Sequence, residues 1–114
     1  REAGGMSERL TGVPEFEHAR QVWRCWTLGE GGAAVMVWRA GDRLECRHVI
    51  EFEPDLAAIA AAEAAGDAAT LANPPQKAVK RWVAYVDGRP VGVPQATLRL
   101  AMARAADEAR RQAA

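Results

Sequence analysis

Residues 43 to 53, Arg-Leu-Glu-Cys-Arg-His-Val-Ile-Glu-Phe-Glu, alternate so regularly that one backbone conformation suits them, an extended strand with one side on a core. Leu44, Cys46, His48, Ile50 and Phe52 fall on one side; Arg43, Glu45, Arg47, Glu51 and Glu53 fall on the other, with Val49 the exception. The strand therefore fixes the faces of its neighbours. Residues 21 to 28 and 33 to 39 are rich in β-favouring side chains, and the glycine-rich stretch 29 to 32 and Ala40-Gly41-Asp42 separate them as turns, so the three segments form an antiparallel meander.

Register follows from which faces can share a core. A four-residue loop at 29 to 32 sets Leu28 opposite Ala33, Trp23 opposite Trp38 and Cys25 opposite Met36. An even register at the next turn then collects Trp23, Cys25, Thr27, Ala34, Met36, Trp38, Leu44, Cys46, His48 and Ile50 on one uncharged face. A slip of one residue would set both tryptophans beside Glu45 and Arg47.

Beyond the meander, Glu53-Pro54-Asp55 opens an alanine-rich helix with Pro54 in the first helical position, and Gly66 ends it. Leu56, Ile59, Ala60 and Glu63 share one face of that helix. Residues 66 to 76 read as a connector, 77 to 80 as a helical turn and 81 to 86 as a strand. Asp87-Gly88 is a type I′ hairpin dipeptide that pairs 89 to 93 back on 82 to 86, with Pro90 confining the last strand to an edge. A second helix runs from Pro94 to about Gln112, with Leu98, Ala101, Met102, Ala105 and Ala109 inward. The fold class is α+β: a three-stranded meander, a short alanine-rich helix, an additional β-hairpin and a long C-terminal helix packed on the sheet.

At 114 residues, 49% hydrophobic and 26% charged, the chain suits one domain, residues 6–114, preceded by five residues that read as an expression remnant before a start at Met6. Residues 6 to 18 read as an irregular lead-in with at most a helical turn near 15 to 20. Fifteen basic residues balance fifteen acidic ones, so the whole molecule exerts no general attraction on nucleic acid or anionic lipid. Thirteen of those basic residues are arginine and 25 residues are alanine, a bias expected of a GC-rich bacterial genome. The longest apolar run, 56 to 62, is far below the roughly 20 residues a membrane helix needs. Two cysteines 21 residues apart suggest reduced, buried thiols in a cytoplasmic protein rather than a disulfide framework.

No catalytic motif stands out. His48 is the residue an enzyme would use first, yet neither an orienting group nor oxyanion donors can be identified for it. Cys25, Cys46, His18 and His48 lack the paired spacing of a zinc site, and no metal or other cofactor is implied. The glycine turn lacks the lysine and helix of a phosphate loop.

The richer candidate is the sheet face opposite the core, where Trp26, Val35 and Val37 lie among Arg24, Arg39, Arg43 and Arg47, with Val22 and Leu28 alongside and Glu45 and Glu51 as acids. An aromatic centre with arginines around it is typical of protein interfaces. Lys77, Lys80 and Arg81 form a second basic cluster beside Trp82, a candidate anion-binding edge. The leading expectation is a non-enzymatic binding or assembly domain whose partner is a protein or a second copy of itself, as in a homodimer. A nucleic-acid-binding module using the Arg/Trp face is the alternative, and a small enzyme centred on His48 the third.

Overall fold

The computed structural model describes residues 8–29 and 34–113. The expectations for residues 1–5, for a start at Met6 and for the turn at residues 30–32 lie outside them. The elements in chain order are β1 (Glu8–Leu10), β2 (Phe16–His18), β3 (Gln21–Leu28), β4 (Val35–Ala40), β5 (Leu44–Pro54), α1 (Leu56–Ala65), α2 (Ala68–Ala72), β6 (Gln76–Val86), β7 (Arg89–Gln95) and α3 (Leu98–Ala113). The fold is α+β, an open antiparallel sheet in the order β1-β3-β4-β5-β6-β7, with β2 also paired to β3 and the C-terminal helix packed on the sheet. The chain divides into a main unit, residues 1–49 and 81–114, and an inserted unit, residues 50–80.

In the main unit the strand alternation has its expected consequence. Trp23, Cys25, Trp38, Ala40, Leu44, Cys46, Ala84 and Val86 bury one face of the sheet against Ala101, Met102 and Ala105 of α3. Alanines at two of those three helix positions let the backbone come close, and Met102 between them in sequence is fully buried in the same cluster. Thr97 caps the helix by accepting a hydrogen bond at Oγ1 from the Leu100 amide. The helix starts later than the sequence suggests because Pro94 and Gln95 still belong to β7.

The faces are as expected, but the β3–β4 register is not. Cys25 pairs with Trp38, Thr27 with Met36 and Leu28 with Val35, a shift of two residues from the expected pairing. An even shift keeps every side chain on its side, so Trp23 and Trp38 still share the core while no longer standing opposite one another. Across the next turn Trp38 meets Cys46 and Ala40 meets Leu44, the even register the sequence calls for. Met36, expected inside, is half exposed.

The lead-in is ordered by its neighbour. Glu8, Arg9 and Leu10 pair with Leu28, Thr27 and Trp26, and Phe16 to His18 pair with Trp23 to Gln21, so residues 8–18 line the free edge of β3 in two short pieces. The β2–β3 turn at Ala19-Arg20 holds both residues at positive φ, 53° and 65°, where glycine or asparagine is usual. Two contacts secure it: the Trp23 indole Nε1–H donates to the His18 carbonyl at 2.9 Å, and Phe16 packs edge-on to Trp38 at 5.2 Å. The other hairpin, Asp87-Gly88 at φ 53° and 79°, is the type I′ turn expected. Val86 pairs with Arg89 and Ala84 with Val91, and a bulge beyond them accommodates Gly92 at φ 72°.

In the inserted unit, Asp55 rather than Pro54 starts α1: Pro54 ends β5, and the Asp55 carboxylate accepts from the Ala58 amide at 3.1 Å. Gly66 closes the helix in the left-handed conformation, as its sequence position implies. Of the residues that share one face of α1, Leu56 is exposed, and the buried residue of the helix is Ala62. The expected connector contains a helical turn, α2, capped by Asp67, and residues 77–80 belong to strand β6 rather than to a helix.

Candidate functional site

The sheet face opposite α3 is assembled by register. Leu10 of β1 stands beside Trp26, Trp26 beside Val37, and Val37 beside Arg47, while Arg24 pairs with Arg39 and Arg39 with Glu45. The predicted residues Trp26, Val35, Val37, Arg24, Arg39 and Arg47 therefore do lie on one face. They differ sharply in access. Val37, with Trp26 and Arg47 as its cross-strand partners, is fully buried, whereas Val35 and Val22 are half exposed and Trp26 is half-buried. Val37 is thus a support for the face and not a contact on it. Leu10, half exposed, joins the face through a strand that has no period of its own to announce it.

Each of the three candidate arginines is paired with a carboxylate. The Arg24 guanidinium meets Glu15 at 2.8 Å, Arg39 meets Glu8 at 3.0 Å and Glu45 at 3.3 Å, and Arg47 meets Glu45 at 3.2 Å. Glu45, with its side chain only 14% exposed, bridges two arginines and is the centre of this network. Burial alone would work against the Arg39 charge, but the hydrogen bonds and charges of Glu8 and Glu45 outweigh it and hold the guanidinium protonated above its ordinary value. The arginines also lie over aromatic rings, Arg39 at 5.8 Å from the Trp26 centroid and Arg47 at 5.2 Å from that of Tyr85. Tyr85 and the bridging role of Glu45 were not singled out from sequence, though the β4–β5 register alone sets Glu45 opposite Arg39.

A pocket of about 330 Å³ opens at the turn end of this face, lined by Trp26, Arg39, Arg43, Glu45 and Gly88 among others. Its cations are engaged. Arg43 donates to both Asp87 oxygens, at 2.8 to 3.2 Å, and to Gln112 Oε1 at 2.7 Å, fastening the β4–β5 turn to the β6–β7 hairpin and the end of α3. The Arg43 hydrogen bonds hold the Asp87 carboxyl below the usual range.

The remaining candidates do not converge on a site. His48 packs edge-on against Trp82 at 5.6 Å, and among the described residues its buried Nδ1 has no hydrogen-bond partner to set the ring's tautomer. Cys25 and Cys46 are buried free thiols on either side of Trp38, and burial, then the charge of Glu45, pushes the Cys46 thiol up to about 12. His18 lies elsewhere, its ring between two atoms of Arg99: the Arg99 Nη1–H donates to Nδ1 and Nε2–H donates to the Arg99 carbonyl, both at 3.2 Å. Among the described residues no cluster of histidine, cysteine, aspartate and glutamate could hold a metal ion, and no helix is long and apolar enough to cross a membrane. Lys77, Lys80 and Arg81 follow one another on β6, whose period of two turns Lys77 and Arg81 to one side and Lys80 to the other. No known protein family, curated protein or solved structure matches this chain.

Proposed function

We propose that this chain is a non-enzymatic binding and assembly domain that acts through self-association or a protein partner on the sheet face around Trp26. One observation carries the reading: Leu10, Val22 and Val35 remain half exposed around Trp26 while Arg24, Arg39 and Arg47 are already paired with glutamates. An apolar centre with a charge-compensated rim suits a protein surface. It suits a polyanion poorly, because a phosphate would have to displace Glu8, Glu15 or Glu45 from its arginine and meet their repulsion. A reducing, bacterial cytoplasm is consistent with two free buried thiols.

The test is a paired substitution, Trp26→Ser with Val35→Ser, followed by sedimentation velocity and circular dichroism. Val35 replaces Val37 as the obvious target because Val37 is internal. The variant should keep its fold and form smaller assemblies than the wild type. Salt-dependent binding of single-stranded DNA or RNA by the wild type, with no change in assembly on substitution, would favour the nucleic-acid reading instead.

A further inference from the structure

Strand β2 lies along the edge of β3, and a single residue of α3 engages two of its side chains. The His18 ring stands between two atoms of Arg99: Nδ1 accepts from the guanidinium and Nε2–H donates to the Arg99 carbonyl, each at 3.2 Å. The same guanidinium lies 4.9 Å from the centroid of Phe16. Phe16 and His18 take the same side of the strand by its period of two, so Arg99 closes over both.

This pair of bonds admits one form of the ring. Nδ1 can accept only while it carries no proton, so the proton of the neutral imidazole must sit on Nε2. A second proton would go to Nδ1, where it abolishes the acceptor and sets an imidazolium 3.2 Å from a guanidinium. Among the described residues no carboxylate pairs with the ring to offset that charge. On β2 Glu17 takes the other side, opposite Val22, and Glu15 before it is bound to Arg24. On β3 the partner of His18 is the uncharged Gln21, the turn between them adds another cation, Arg20, and the first carboxylate of α3, Asp107, lies more than two turns beyond Arg99. The strand is also lightly held at its turn, where Ala19 and Arg20 occupy the left-handed region that costs residues with a Cβ free energy.

We propose that His18 and Arg99 form a pH-sensitive latch, which fastens β2 to α3 while the ring is neutral and releases it when the ring takes up a proton. Release uncovers the Gln21–Trp23 edge of β3, whose backbone N–H and C=O groups can then pair with another strand. Geometry sets the sign: proton uptake and the Nδ1 bond exclude each other, so the latch is complete above neutral pH and is lost toward about pH 5. No residue of the Trp26 face takes part, so the inference goes beyond the function proposed above.

NMR of the full chain tests it, because His18 and His48 are the two histidines of the sequence and each can be replaced separately. At about pH 8 the His18 ring should be in the Nε2–H form. Between about pH 7.5 and about pH 5.5, amide protection of Phe16 to His18, corrected for intrinsic exchange, should fall about tenfold in the wild type and in His48→Gln. In His18→Gln and Arg99→Gln it should not change with pH, and Arg99→Gln should stand at the low-pH level throughout. An Nδ1–H ring at about pH 8, wild-type protection that stays constant over this range, or a step that survives His18→Gln would each overturn the proposal.

Discussion

Trp23 shows what a single side chain settles in this fold. It is fully buried, belongs to the core under α3, and donates its indole hydrogen to the His18 carbonyl. Truncation to alanine removes both the packing and the bond, so Trp23→Ala should cost about 3 to 5 kcal/mol in urea melts. A nearly neutral result would mean that the side chain is not the centre of the core. The thiols give an independent check at the same scale. With the Cys46 pKa pushed up by burial to about 12, native protein at pH 8 should label far more slowly there than denatured protein. Rapid native labelling, or bound zinc, would contradict the buried assignment. The core was largely legible at this level: Trp23, Cys25, Trp38, Leu44 and Cys46 all bury as their alternation implies. Met36 and Ile50 share their parity and are exposed, because alternation decides which side a residue takes while burial depends on what covers that side.

At the scale of elements, two turns invite opposite predictions. Ala19 and Arg20 occupy the left-handed region without being glycine, which costs roughly 1 kcal/mol each, so Ala19→Asn with Arg20→Gly should stabilise the protein by about 1 kcal/mol net of the added freedom of the unfolded chain. A lower urea midpoint would show that Arg20 contributes something the turn geometry does not reveal. The β6–β7 turn is instead held by charge. Its Asp87 carboxyl is depressed by Arg43, so its contribution to stability is complete above the unfolded aspartate value of about 3.9 and is lost as pH falls through the lower folded value. Asp87→Asn should therefore be less stable than wild type at neutral pH, and the gap should close in acid; a constant gap would place the effect elsewhere. The Asp87-Gly88 turn was readable because its residue types demand it. The β3–β4 register was not, since a glycine-rich loop closes at several lengths, and two extra residues leave both faces unchanged. Strands β1 and β2 escaped for a related reason: three residues carry no period, and it is the edge of β3 that orders them.

At the scale of the whole molecule, the sequence identified the face but not its state. Arg24, Arg39 and Arg47 were expected around Trp26 with Glu45 among them, and only folding adds Glu8 and Glu15 from the residues before β3. Leu10 and the exposed Phe52 and Leu56 were equally invisible as surface, because exposure is a property of the packed chain. Around Trp26 the surface is apolar at its centre and compensated in charge, the composition on which the proposed protein contact rests. Light scattering across a wide concentration range tests that most directly. The account predicts a mass that rises above 12.3 kDa with concentration to at least twice that value. A mass fixed at 12.3 kDa at every concentration and salt would contradict self-association.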